Sequence, residues 1–198
     1  MNLRPPVYET GALPLSYGGI ARDLFLLLFN LMGCTVVAER YQELLQTARK
    51  QIELADHMLY VTYPLVQETK FLLAIAGHVI NAARLAMQAL LEFEILYKRL
   101  EHYNQTFVSE IDIYCKKVAP RYNLDGKYFK LLQKLLEVQK YDSESVVRFK
   151  RGDKYILSTA EYSMSVLDLD SVKRYSNLTK KFVDEIADAI NKQNAKPS

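Results

Sequence analysis

Two apolar helical stretches, Gln42 to Tyr63 and Thr69 to Tyr103, are separated only by Pro64 and a few residues, and no other feature constrains the chain more. A connection of about 2 to 8 residues cannot carry the chain back to the far end of the first helix, so the two must pack antiparallel. In the first, Leu45, Ala48, Ile52, Ala55 and Leu59 recur at spacings of three and four. That is the stripe of a helix with one buried face, and Glu43, Arg49, Lys50 and Glu53 supply its wet side. Tyr63 precedes a proline and is biased away from helical geometry, so this helix is expected to stop or kink there. The second stretch is apolar around most of its circumference, with Phe71, Leu72, Ile75, Val79, Ile80, Leu90 and Leu91. It should be the most buried element, and unbroken to Tyr103 it would span about 50 Å at roughly 1.5 Å per residue.

The helical period continues through Val108, Ile111, Cys115 and Val118 until Pro120, where a third helix is expected to end. Asp125 is placed to cap a fourth, carrying Tyr128, Phe129, Leu131, Leu132, Leu135, Leu136 and Val138 and ending near Tyr141. Then the period changes. Val146 to Lys150 and Tyr155 to Leu157 flank Arg151-Gly152-Asp153-Lys154, the pattern of a β-hairpin, and Tyr162 to Leu167 offers a third short strand. Asp168 or Asp170 begins a last helix with Val172, Tyr175, Leu178, Phe182, Ile186 and Ile190 on its buried side. The expected fold is mainly α: an antiparallel helical hairpin and bundle with a small β-hairpin before the C-terminal helix. Residues 1–36 read as an irregular and then apolar extension, 37–192 as the bundle with its hairpin near 146–167, and 193–198 as a frayed tail.

Only 7 Gly and 6 Pro in 198 residues argue against a loop-rich or disordered chain. Cys34 and Cys115 lie far apart with no C-x-x-C spacing, which suggests neither a disulfide framework nor a zinc cluster and fits a reducing, cytoplasmic setting. Leu24 to Phe29 is an unbroken apolar run, but Asn30, Gly33 and Thr35 interrupt its continuation short of the roughly 18 to 20 residues a membrane span needs. Leu31-Met32-Gly33-Cys34 has the look of a lipoprotein cleavage box, although Asp23 against the apolar run and a leader without basic bias do not suit one. Membrane association through 24–37 is left open at this level.

No P-loop, dinucleotide glycine pattern, G-x-S-x-G or H-E-x-x-H occurs, and the three histidines lack the Glu-x-x-His spacing of two-metal bundles. The expectation is neither metal nor cofactor, and no catalytic residue. Two constellations remain. His78, Asn81, Arg84, Gln88 and Glu92 are spaced three, three, four and four apart, so they form one polar stripe on the central apolar helix. Such a stripe either lines a site between helices or is the helix's wet or dimer-facing edge. Charge supplies the second. Lys116 to Lys154 holds 11 basic against 5 acidic residues, a net +6, while the whole chain carries +3. Lys116, Lys117, Arg121, Lys127, Lys130, Arg148, Lys150, Arg151 and Lys154 are interleaved with Tyr122, Tyr128, Phe129, Phe149 and Tyr155, as a surface that holds phosphates and stacks bases would require. The lysines serve equally as the ordinary wet face of an amphipathic helix.

His57-Met-Leu-Tyr-Val-Thr-Tyr-Pro-Leu-Val66, Lys70-Phe-Leu-Leu-Ala, Leu96-Tyr97-Lys98-Arg99, Arg121-Tyr-Asn and the 149–167 hairpin resemble a family of small archaeal proteins built on a helical hairpin. The resemblance covers roughly 45–190 and carries no activity with it. The long hairpin followed by shorter helices also resembles HEPN domains, whose active members are RNases with an Arg-x(4 to 6)-His motif. Here Arg99 to His102 is too short and Arg49 to His57 too long, so the resemblance implies the fold and a binding role without that nuclease chemistry. The expected function is non-enzymatic binding, with nucleic acid held by the basic segment 116–154. The alternatives are a protein-interaction or homodimer module and a membrane-attached protein.

Overall fold

The computed structural model describes residues 40–161 and 163–194. The chain divides at Val36/Val37, and all the described residues belong to the second unit, Val37–Ser198. The extension 1–36 and its apolar run lie outside the described residues, as do Tyr162 and residues 195–198. Among the described residues five helices and a three-stranded antiparallel sheet follow one another, a mainly α fold with the sheet ahead of the last helix. We label them α1 (40–66), α2 (Lys70–Leu96), α3 (107–122), α4 (Lys127–Glu144), β1 (Ser145–Arg151), β2 (Lys154–Thr159), β3 (Met164–Leu167) and α5 (Leu169–Asn194).

Helix α2 is the axis, as its apolar circumference requires. Leu72, Ile75, Val79, Ala83, Met87, Leu90, Leu91 and Phe93 are all fully buried. Helix α1 returns antiparallel to it, with Ala48, Ile52, Ala55 and Leu59 inward. Helix α5 runs parallel to α2, since Asn194 at its end meets both Tyr97, just past the end of α2, and Tyr41 at the start of α1. At the centre Phe182 sits edge-on to Tyr114 with ring centroids 5.7 Å apart, and 5.0 Å from Tyr128, so one aromatic cluster joins α3, α4 and α5.

Proline does not stop the helices where its sequence position suggests. In α1 the chain widens into a π-turn at Met58–Thr62, passes Pro64 and ends at Val66; in α3 it widens at Tyr114–Val118, passes Pro120 in a 3₁₀ turn and ends at Tyr122. The same device acts twice. A proline ring clashes with the carbonyl four residues back and offers no N–H to it, and one wide turn relieves both problems. Three residues after each proline the chain enters the left-handed region, at Gln67 (φ 50°) and Asn123 (φ 50°), and the helix ends there.

Helix α2 ends at Leu96, not Tyr103. Lys98 adopts φ 55°, and the amides of Lys98 and Arg99 bond back to the carbonyls of Ile95 and Glu94, both at 2.9 Å. This is a Schellman turn with a lysine where glycine is usual, and it throws 97–106 into a loop. Helix α4 continues to Glu144, one turn past Tyr141.

In the sheet, Phe149 faces Ile156, which faces Val166, and Lys150 faces Tyr155, which faces Leu167. Leu157 and Leu167 are buried on the core side. The turn needs a left-handed residue and has Gly152 at φ 61°. Asp168 then caps α5: its Oδ1 accepts the Ser171 N–H at 2.7 Å, and its carboxyl is held below the ordinary range by the Ser171 hydrogen bonds. Because that value is lower folded than unfolded, the cap is fully present above the ordinary carboxylate range and lost as pH falls through the depressed value. Asp168→Ala should therefore cost about 1 kcal/mol in urea unfolding at neutral pH, with the gap to the parent closing in acid.

Candidate functional site

The basic segment does not form one surface. Arg121 and Lys127 lie at the end of the bundle where α5 finishes, Arg121 across a cleft from Asp188 and Lys192, and Lys127 3.7 Å from Glu185. Lys150 and Lys154 lie at the other end, sharing a cleft of about 780 Å³ with Tyr63, Asp153, Asp168 and Asp170, where α5 begins. Leu169 and Glu185 are sixteen residues apart, roughly 24 Å along a helix. Contiguity in sequence is here separation in space, because α4 carries the chain from one end to the other.

Several of these cations already have partners. On the helices Lys116 pairs with Asp112 at 2.6 Å, Lys127 with Asp125 at 3.1 Å and Arg121 with Glu94, and in β1 Arg148 pairs with Asp142 at 3.1 Å. Among the described residues Lys117, Lys130, Lys150, Arg151 and Lys154 have no carboxylate within ion-pair distance, and three of these five are in the β-hairpin. The hairpin 145–159 carries four basic residues against one acidic, a net +3.

The polar stripe is a half-buried seam facing α1 and α3. His78 Nδ1 lies 2.8 Å from Gln51 on α1. Arg84 grips Glu110 of α3 in a two-pronged fork, Nε to Oε2 at 2.9 Å and a terminal nitrogen to Oε1 at 3.3 Å, and also donates to the Gln105 carbonyl at 3.0 Å. Gln88 donates to the same carboxylate at 2.7 Å. Glu110 is fully buried, so Arg84 and Gln88 are what make its charge tolerable there. A shallow cleft of about 380 Å³ between Gln51, Asn81, Arg84, Leu85 and Gln88 opens above. Tyr103 is pushed up by burial and then by the Glu110 and Glu92 carboxylates, so its phenol stays protonated. Glu92 stands apart from the other four and pairs with Arg40 at 3.4 Å. With its cation and carboxylate locked together, the seam joins helices and holds no uncommitted acid–base pair.

Glu94, Arg99 and Tyr122 form a constellation that residue spacing does not announce. The Glu94 carboxylate is completely buried at the end of α2; Arg99 Nε lies 3.3 Å away, Arg121 meets its other oxygen, and the Tyr122 hydroxyl donates to it at 2.5 Å. Only the Schellman turn after Leu96 brings Arg99 back over Glu94, and only the turn after Pro120 presents Arg121 and Tyr122 together. Cys115 is half-buried and its thiol is raised to about 11 by burial and then by Asp112, which leaves it unreactive near neutrality. Among the described residues no three His, Cys, Asp or Glu side chains group closely enough to hold a metal ion.

A second unforeseen feature is the sheet's outer face, where Val147, Phe149, Met164 and Val166 are exposed. Its signal was present in the sequence: Val146-Val147 and Ile156-Leu157 place apolar residues on both faces of the strands.

Because Arg99 and Arg121 keep partial contact with water while Glu94 has none, the arginines are the replaceable members. Glu94→Ala should lower stability by about 3 kcal/mol in urea unfolding, and Arg121→Ala by clearly less, since Arg99 and Tyr122 still serve the carboxylate. Comparison with family models, curated proteins and solved structures finds no match to the chain, so the site is read from its own geometry.

Proposed function

We propose that the protein acts by binding rather than catalysis, and that its contact surface for nucleic acid is the β-hairpin rather than the whole of 116–154. The observation that carries this reading is the inequality of the cations. Lys116, Arg121, Lys127 and Arg148 are held by carboxylates; of the five cations with no such partner among the described residues, Lys117 and Lys130 stand singly on α3 and α4, whereas Lys150, Arg151 and Lys154 group on one hairpin. A cation already neutralised releases little counterion when a phosphate approaches, so uncommitted cations dominate a salt-dependent affinity. Phe149, 40% exposed, stands beside them.

A second reading, a self-associating module, is favoured by Leu54, Tyr60, Val61, Leu65 and Val66, which are exposed along α1 and at its end. Sedimentation of the full chain across a concentration series tests it, and a monomer throughout would end it.

For the first reading, anisotropy of a labelled oligonucleotide across a sodium chloride series should give log affinity falling linearly with log salt. Changing Lys150, Arg151 and Lys154 together to Gln should flatten the slope by about 2, from roughly 0.7 per single-strand phosphate contact, while Lys116→Gln leaves it nearly unchanged. Binding that is absent or insensitive to salt would overturn the assignment.

A further inference from the structure

We infer that the outer face of the three-stranded sheet is a platform for unpaired nucleotides, selecting single-stranded over duplex nucleic acid. This rests on the hairpin reading above and adds the class of ligand.

The strand register builds the face row by row. Directly opposed residues in an antiparallel pair share one side of the sheet. Val147, Ser158 and Met164 form one row, Phe149, Ile156 and Val166 the next, and Arg151 with Lys154 the last, at the turn. The opposite side holds Leu157 and Leu167, which are buried, so these rows face away from the core. The exposed members run from 40% at Phe149 to 59% at Met164; Ile156, in the middle strand between Phe149 and Val166, is 5% exposed. No acidic residue stands in any row, although Asp153 lies in the turn between Arg151 and Lys154, and Lys154 also borders the cleft that holds Asp168 and Asp170.

A solvated face of an antiparallel sheet is normally polar, so an apolar one implies a ligand that covers it. That ligand must present a flat apolar surface with negative charge close by. The phenyl row and the cation row are two residues apart along the strand, about 7 Å. An unpaired nucleotide has both parts, a base whose face stacks on an aromatic ring and a phosphate for Arg151 or Lys154. A duplex does not suit the face. It buries its base faces and shows a charged sugar–phosphate surface, which would leave Val147, Met164 and Val166 against hydrated phosphates. A second copy is disfavoured too, because joining two β1 edges would crowd Arg148, Lys150 and Arg151 of both chains into one strand pair.

The test uses the full chain with a fluorescein-labelled twelve-nucleotide oligouridylate and a labelled twelve-base-pair duplex. Variants are Phe149→Leu, which keeps an apolar strand residue, and Arg151→Gln with Lys154→Gln; circular dichroism confirms that each is folded. The single strand should bind more tightly than the duplex. Phe149→Leu should weaken the single strand about tenfold or more without altering its salt slope and leave the duplex unaffected, whereas the cation changes should weaken both and flatten the slope. Equal binding of the two nucleic acids with no effect of Phe149→Leu would overturn this inference and leave the hairpin reading standing. Binding of neither would overturn both, as would Phe149-dependent binding of an acidic, apolar peptide in place of any oligonucleotide.

Discussion

The carboxylate of Glu94 is the interaction on which the arrangement turns. A helix apolar on nearly every side can be buried along its whole length, but it must stop, and its last turn then leaves carbonyls without partners in the interior. Here the backbone carbonyl of Glu94 takes the amides of Arg99 and Leu100, and its side chain takes Arg99, Arg121 and Tyr122. One residue therefore ends α2, fixes the loop that follows and anchors the far end of α3. A buried carboxylate is costly when unpaired, so the packing that hides Glu94 is conditional on both turns forming. Glu110 repeats the logic half-way along α2, where Arg84 and Gln88 reach it from the seam.

How much of this was legible in the sequence follows from the range of the forces involved. The helices and the hairpin declare themselves through periodicity and local chemistry, both of which act within a few residues, and the same chemistry narrows the last cap to Asp168 or Asp170, of which folding uses Asp168. The ends of α1, α2 and α3 did not. Pro120 reads as a stop and Pro64 as a stop or kink, yet each is absorbed by a π-turn in the turn before it and the helix runs on for two more residues. The end at Leu96 depends on Lys98 accepting a left-handed conformation that glycine usually occupies, and no local signal marks it. The pairing of Glu94 with Arg121 spans 27 residues and is a tertiary fact.

The same distinction governs the charges. Counting by segment locates an excess of basic residues but is blind to pairing and to direction along the bundle. Folding pairs Lys116, Arg121, Lys127 and Arg148 with acids and sets the two ends of the segment some 24 Å apart along α5, so the +6 of the sequence is no single patch: Lys117 and Lys130 stand singly on α3 and α4, and Lys150, Arg151 and Lys154 group on the hairpin. The polar stripe fares likewise. His78, Arg84 and Gln88 lie in one seam, and each is committed to a neighbour that only the packing of α1 and α3 supplies, while Glu92 turns to Arg40.

What folding leaves without a partner is therefore more informative than what the sequence concentrates. The core side of the sheet closes over Leu157 and Leu167, whereas its outer side keeps Val147, Phe149, Met164 and Val166 in water beside Arg151 and Lys154. Such exposure lowers no folding energy, and a β-hairpin gains solubility from polar residues at these positions at no cost to its register. Two of the three strands are edges, and β1 meets the usual hazard of an open edge with Arg148 and Lys150 while leaving the face itself apolar. On the proposed reading, an edge guarded by cations next to an unguarded apolar face would disfavour another basic strand and suit an anionic ligand with apolar surface, so the charge of the hairpin and its exposed face would act as one device.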